Sequence, residues 1–242
     1  MNLRPSADRP LVIGHRGACA VAPENTLASL AAAVAAGADL VEFDVSPGLR
    51  LAHSVRELRD DAIGIDEALD FLRAHDVGVH LDVKLPGYEV EVVQMIRRHA
   101  LEERALVSTA FPGVARALAR AGPRITRAIG YPRDRYGISR APWPAGLTHA
   151  GAAALRAVMP VRIPLLLRSA RAGALALHHT LCSRAAVAAA HRFDAAVLAW
   201  TVNDSYVARR LAEIGVDAIV TDDPALVLDA FEDQAGATLT RP

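Results

Sequence analysis

The stretch that decides the fold is LVIGHRGACAVAPENTLASLAAAVAAGADLVEFDV, residues 11–45. It begins with a short apolar run, residues 11–14, of the kind found in strands that are buried on both faces. Residues 26–36 then show the apolar spacing of a helix, and Gly37 stands where glycines commonly end helices. A second predicted strand over residues 39–45 completes a strand–helix–strand unit, the repeating unit of parallel sheets.

The same alternation continues along the rest of the chain. We expect eight strands, at residues 11–14, 39–45, 78–84, 105–109, 125–130, 174–178, 196–201 and 217–221. Helical spacing is clearest at residues 26–36, 66–75, 89–100 and 205–214. Eight strands favour an α/β fold of the closed (β/α)8 TIM-barrel type. An open doubly wound sheet is the alternative, but no G-x-G-x-x-G follows a predicted strand.

Length and charge limit the class of protein. A chain of 242 residues suits a single domain, and we expect one barrel over residues 1–242, with a core at about residues 10–230 and flexible termini. Basic and acidic residues balance at 27 each, which argues against nucleic acid or an anionic membrane as a partner. The longest apolar run is too short for stable membrane insertion. The oligomeric state stays open.

Cysteine usage indicates a compartment. Cys19 and Cys182 lie far apart, and the sequence shows no apolar signal segment. A disulfide framework is therefore not expected, and a reducing, cytoplasmic location is favoured.

Chemistry-bearing residues follow the first strand directly. His15, Arg16 and Gly17 come at its end, where TIM barrels carry their active sites. The segment Pro23–Thr26 leads into the first helix, and Asn25 or Thr26 could serve simply as the helix cap. A capping role is compatible with a site nearby.

Acidic residues end the next two strands. Glu42 and Asp44 are two residues apart, as are Asp82 and Lys84, so each pair shares one face of its strand. Three carboxylates at one barrel mouth would repel, and a bound cation would keep them ionised. Oxygen-only ligands favour Mg²⁺ or Ca²⁺. The alternative is an ion network with Arg16 and Lys84 and no metal.

Two histidines are candidates for the acid and the base of a catalysed reaction. His53 follows the second strand closely and can face the same cavity as His15. Lys84 is the single lysine among 27 basic residues, which favours a site that needs a compact ammonium group. His178 and His179 are expected to be structural, and no role is assigned to five other histidines: His75, His80, His99, His149 and His191.

The ordered motifs resemble those of the glycerophosphodiester phosphodiesterase family. The resemblance spans nearly the whole chain and consists of HRG at His15, PENT at Pro23, ExD at Glu42 with the following His53, D-x-K at Asp82, WTVN at Trp200, and a closing segment from Gly215 to Asp222.

The resemblance implies a metal-dependent hydrolysis of a glycerophosphodiester to an alcohol and glycerol phosphate. It implies acid and base roles for His15 and His53, without saying which does which. It further implies a divalent cation, Mg²⁺ or Ca²⁺, on Glu42, Asp44 and Asp82, and phosphate or substrate contacts from Arg16, Lys84 and Trp200. Trp200 is equally compatible with a core position. The alternatives are a related barrel that releases a cyclic phosphate from lysophospholipid and a non-catalytic phosphate-binding barrel.

Three departures from the family pattern lead to expectations about the site. Ser54 replaces the acid that usually follows the second histidine, which should lower proton affinity at His53. Asp82 replaces a glutamate, which should weaken the metal site. The segment from His53 to Asp66 is too short for the family's usual insertion, so an open mouth is expected. Residues 131–144 should form a loop after the fifth strand, either a collar around the substrate or an ordinary surface loop.

Overall fold

The computed structural model describes residues 1–4, 9–133 and 145–239, with the backbone alone at 145–150 and 234–239. Eight parallel strands form a barrel: β1 (Leu11–Gly14), β2 (Leu40–Ser46), β4 (Gly78–Val83), β5 (Ala105–Thr109), β6 (Thr126–Tyr131), β7 (Ala174–His178), β8 (Ala196–Trp200) and β9 (Ala218–Thr221). The short strand β3 (Arg50–Leu51) pairs antiparallel with β2.

The barrel is closed. Strand order runs β1, β9, β8, β7, β6, β5, β4, β2, and β2 then pairs with β1, with Ile13 opposite Leu40. An open doubly wound sheet would leave two unpaired edges, so this pairing excludes it. All eight predicted strands are confirmed, with ends that agree to within a residue.

A helix follows each barrel strand. They are α1 (Leu27–Ala35), α2 (Ile65–Ala74), α3 (Glu89–Arg98), α4 (Pro112–Ala121), α5 (Ala145–Ala170), α6 (Arg184–His191), α7 (Ser205–Glu213) and α8 (Pro224–Leu239). The four helices predicted from spacing are confirmed as α1, α2, α3 and α7. Gly37 and Gly215 follow α1 and α7 with φ of +82° and +87°, as expected for glycines that end helices.

The barrel interior has an apolar floor below the site. Ile13, Leu40, Leu106, Leu198 and Val220 belong to one buried cluster contributed by five strands. Because side chains alternate along a strand, Glu42 and Asp44 share the inward face of Leu40, nearer the C-terminal end of β2. Within the parts of the chain that the structure describes, no helix combines the length and apolar character needed to cross a membrane.

Candidate active site

A cavity of about 260 Å³ opens at the C-terminal ends of the strands. Seven of the eight site residues predicted from sequence line it: His15, Arg16, Glu42, His53, Asp82, Lys84 and Trp200. The eighth, Asp44, lies behind this lining and is fully buried. His80, Ser108 and Arg133, for which the sequence suggested no role in catalysis or metal binding, also line the cavity.

The turn after β1 places His15 and Arg16. Arg16 and Gly17 both have left-handed backbones, with φ of +51° and +85°. A Cβ on Gly17 would lie 2.3 Å from the backbone of Ser29, so only glycine fits there. The backbone N–H of Arg16 donates to Glu42 Oε2 at 2.7 Å, which ties this turn to β2.

Two residues of the segment leading into α1 have different structural roles. Thr26 caps the helix and exchanges hydrogen bonds with Ser29, which confirms the expected capping role. Asn25 instead binds Asp44: its Nδ2 donates to Asp44 Oδ2 at 3.0 Å, and its Oδ1 accepts from the Asp44 backbone N–H at 2.9 Å. Asn25 therefore fixes the orientation of a buried carboxylate, a role that the sequence did not reveal.

Three carboxylates converge beneath the cavity. Glu42, Asp44 and Asp82 each place an oxygen within 4.8 Å of the others. Burial, followed by the charge of Asp44, raises the pKa of Glu42 to about 7. Burial alone would raise the pKa of Asp44 too, but the Lys84 ammonium, His53 and Arg16 hold it well below its ordinary value.

Lys84 lies among these carboxylates. Its Nζ is 2.5 Å from Asp44 Oδ1 and also contacts Asp82 Oδ2. Arg16 Nε is 3.1 Å from Asp44 Oδ2. The ion network that the sequence offered as an alternative is thus present around Asp44. Burial would lower the pKa of Lys84, but Asp82 and Asp44 raise it, so the ammonium stays charged.

The donor set nevertheless suits a hard divalent cation. Glu42 is 3% exposed, and among the described residues it forms no ion pair. A buried carboxyl with no cationic partner is costly to ionise, and a cation shared with Asp44 and Asp82 would remove that cost. These three residues could hold a divalent cation through oxygen ligands alone.

A hydrogen-bonded chain supports Asp82. Ser108 Oγ donates to Asp82 Oδ1 at 2.6 Å, and His80 Nε2 lies 2.8 Å from Ser108 Oγ. The serine has one proton to give, so His80 must donate from Nε2. Burial lowers the pKa of His80 to about 4, which keeps the ring neutral. The sequence assigned no role to His80, which lies in the predicted strand β4 on the face of Asp82.

The carboxylate of Asp222, which follows β9, orients His15. Asp222 Oδ1 lies 2.6 Å from His15 Nδ1, and Cys19 Sγ donates to the same oxygen at 2.9 Å. Asn203 Nδ2 donates to the other carboxylate oxygen, and the Asp222 backbone N–H donates to Asn203 Oδ1 at 2.9 Å. Burial would lower the pKa of His15, but Asp222 and Glu42 raise it.

His53 lies against different partners. Its Nδ1 is 2.9 Å from Arg16 Nη2 and 3.3 Å from Asp44 Oδ2. Asp44 therefore supplies a carboxylate beside His53, where the following residue, Ser54, does not. Between His53 and α2 the chain forms one short turn, Val55–Glu57, whose residues are exposed.

The opposite wall of the cavity is mostly apolar. Trp200 lies there, with the edge of its ring against His178 at 5.2 Å between centroids. Arg133 lies at the same wall with its guanidinium 3.8 Å above the ring of Phe111. The remainder of the predicted collar, residues 134–144, lies outside the described residues.

Comparison with known proteins agrees with the motifs. The profile of the glycerophosphoryl diester phosphodiesterase family matches residues 15–46 and 140–226. A Bacillus subtilis protein, whose name marks it as a candidate glycerophosphodiester phosphodiesterase, is 25% identical over 258 residues, covering 90% of this chain and 96% of the relative. An Arabidopsis thaliana glycerophosphodiester phosphodiesterase is 37% identical over 68 residues, which is 28% of this chain and 21% of the plant protein.

Solved structures share the barrel. A phosphodiesterase of Oleispira antarctica in complex with the product sn-glycerol-3-phosphate superposes with a TM-score of 0.70 at 21% identity, covering 93% of this chain and 97% of that one. A glycerophosphodiester phosphodiesterase of Parabacteroides distasonis has a TM-score of 0.72 at 18% identity, covering 95% and 100%. At these identities the structures establish the shared fold. The motifs and the family profile lead to one conclusion: the chain is a relative of the glycerophosphoryl diester phosphodiesterases, which are phosphoric diester hydrolases.

Proposed function

We propose that this chain hydrolyses a glycerophosphodiester to an alcohol and glycerol phosphate, with His15 and His53 as base and acid and with a divalent cation, Mg²⁺ or Ca²⁺. The observation that carries the proposal is the arrangement of both imidazoles, the carboxylate group and two cationic side chains around one cavity. The related Oleispira antarctica enzyme was solved with sn-glycerol-3-phosphate, a small molecule of the class expected here.

The charged groups would stabilise phosphoryl oxygens. Glu42, Asp44 and Asp82 would hold the cation, which when bound would offset negative charge building on the phosphorus centre. Arg16 and Lys84 line the same cavity and carry N–H groups that match nonbridging phosphate oxygens. Trp200 would pack against the apolar part of the substrate at the opposite wall.

Hydrogen bonding distinguishes the two histidines. The ionised Asp222 carboxylate can only accept, so in neutral His15 the proton lies on Nδ1 and Nε2 keeps a free lone pair. Protonated His53 can donate from Nδ1 to the Asp44 carboxylate 3.3 Å away, and its Nε2–H is then left for the leaving group. We therefore assign neutral His15 as the base that activates water and protonated His53 as the acid that protonates the leaving alkoxide.

An isotope experiment tests the reaction type. Glycerophosphocholine, glycerophosphoethanolamine and a lysophospholipid would be incubated with the protein and Mg²⁺ or Ca²⁺ in ¹⁸O-enriched water, and the products analysed by mass spectrometry. Water attack places one ¹⁸O in the phosphomonoester. A cyclic phosphate free of ¹⁸O would contradict the proposal and show instead that a hydroxyl of the substrate attacks the phosphorus. No product from any diester would favour the phosphate-binding barrel.

A further inference from the structure

A ring nitrogen and a thiol both contact one carboxylate oxygen beside the proposed active site. Asp222 Oδ1 lies 2.6 Å from His15 Nδ1 and 2.9 Å from Cys19 Sγ. The three potential ligand atoms lie within 4.8 Å of one another. The His15 and Asp222 side chains are 20% and 27% exposed, and Cys19 is partly exposed, so solvent ions can reach the group.

The chemistry of this group differs from that of the carboxylates in the cavity. Nitrogen, sulfur and oxygen together suit a borderline or soft ion, whereas oxygen alone suits Mg²⁺ or Ca²⁺. Zinc commonly binds three such side chains in a tetrahedron and keeps its fourth position for water.

The surrounding structure already holds the ligands in place. Asn203 binds the second oxygen of Asp222 and accepts from its backbone N–H, which fixes the carboxylate. The backbone N–H of Ala20 donates to Asp222 O at 3.0 Å, so the segment carrying Cys19 is tied to the end of β9. Partners of this kind orient ligands and raise metal affinity.

We propose that His15, Cys19 and Asp222 form a second metal site, selective for a thiophilic divalent cation such as Zn²⁺ or Cd²⁺, and that its occupancy inhibits the enzyme. The ion would replace the N–H and S–H protons that now point at Asp222 Oδ1. The thiol proton would leave to solvent and the sulfur would bind as thiolate, while the His15 ring would bind as neutral imidazole with its proton moved from Nδ1 to Nε2.

A metal ion suits this cysteine better than an oxidant does. Burial, together with the hydrogen bond to Asp222, raises the pKa of the Cys19 thiol to about 12. Oxidants and alkylating agents react with thiolates, so this thiol should react slowly with them near neutral pH. A coordinating cation stabilises the thiolate directly and does not need a free thiolate beforehand.

Inhibition follows from the position of His15, and this part rests on the proposed function. With a cation on Nδ1, the proton of the neutral ring lies on Nε2, so the nitrogen assigned to activate water loses its free lone pair. The inhibition should therefore persist in saturating Mg²⁺ and saturating substrate, because neither competes for Cys19.

Cadmium titration followed by ultraviolet absorption tests the site directly. Protein freed of metal and then supplied with excess Mg²⁺ would be titrated with Cd²⁺, and sulfur-to-metal charge transfer recorded. The wild type and the control Cys182→Ala should each gain this absorption with one equivalent, whereas Cys19→Ser should not. Cys182 is the matched control because it is buried and outside the ligand group. Absence of the band in the wild type, or its persistence in Cys19→Ser, would overturn the proposal.

A second assay addresses inhibition and keeps the two proposals separable. Zn²⁺ should inhibit diester hydrolysis in the wild type at concentrations that fill the site, and Cys19→Ser should need at least about ten-fold more. Equal inhibition of both proteins would refute the inhibitory role. If no diester is hydrolysed at all, the proposed function fails, while the absorption titration still decides the metal site.

Discussion

Two groups of side chains that could hold a metal ion lie at the C-terminal ends of the strands, and they differ in composition and in burial, since only Glu42 and Asp44 among them are buried. Glu42, Asp44 and Asp82 come from two strands, β2 and β4, and offer only oxygen. His15, Cys19 and Asp222 follow β1 and β9 and are partly exposed. They offer nitrogen, sulfur and oxygen, and the ring nitrogen and the thiol are hydrogen-bonded to the carboxylate. The carboxylate group needs cations to stay ionised, whereas the second group is satisfied by its own hydrogen bonds.

The largest effect is expected at Asp44. Its removal in Asp44→Ala leaves Lys84, Arg16 and Asn25 without their shared buried partner. We expect a loss of ~3–5 kcal/mol in the free energy of unfolding, because two largely buried cations lose the fully buried carboxylate that they share. Urea unfolding in chelator measures it. The control Asp61→Ala, at an exposed pair with Arg59, should change stability by under ~1 kcal/mol; equal losses would contradict the account.

Glu42→Gln should weaken cation binding and hydrolysis while leaving the stability of the fold almost unchanged. Because Glu42 forms no ion pair among the described residues, we expect its stability in chelator to change by under about 1 kcal/mol. Divalent-cation binding should weaken strongly, and hydrolysis should fall about 10³-fold as the cation's several kcal/mol of stabilisation are lost. Calorimetric titration with Mg²⁺ or Ca²⁺ gives the affinity. Unchanged affinity would remove Glu42 from the cation site.

A smaller effect is expected at the group formed by His15, Cys19 and Asp222. Asp222→Asn should misorient His15 and lower kcat about 10²-fold with little change in KM, because the base acts on water and not in substrate binding. The same variant should leave Mg²⁺ or Ca²⁺ affinity near the wild-type value. Steady-state kinetics and calorimetry together check this, and a change confined to KM would argue against a positioning role for Asp222.

The smallest effect is expected behind Asp82. Ser108→Ala removes the donor to Asp82 and leaves the buried Nε2–H of His80 unpaired, which should cost ~1–3 kcal/mol of stability. Cation affinity should fall about ten-fold. Ser169→Ala, whose hydroxyl donates only to a carbonyl of α5, is the control. If both variants bind cation alike, Ser108 plays no part in orienting Asp82.

The sequence predicted the strands well because apolar runs and side-chain alternation are local properties. α5 escaped prediction since Pro160 and Pro164 lie inside it, and proline is usually a helix breaker. The roles of Asn25 and Asp222 escaped for a different reason. Asp222 meets His15 across 207 residues of chain, and Asn25 could equally have been a cap, so only the closed barrel revealed their contacts.

The most direct test of the central claim is the rate of alcohol release from glycerophosphocholine by the wild type and His15→Ala, each with Mg²⁺ or Ca²⁺ and with chelator. The exposed His75→Ala serves as the folding control. We predict turnover by the wild type and His75→Ala that requires the cation, and its loss in His15→Ala with folding intact. Turnover that survives chelator, or that persists undiminished in His15→Ala, would contradict the account.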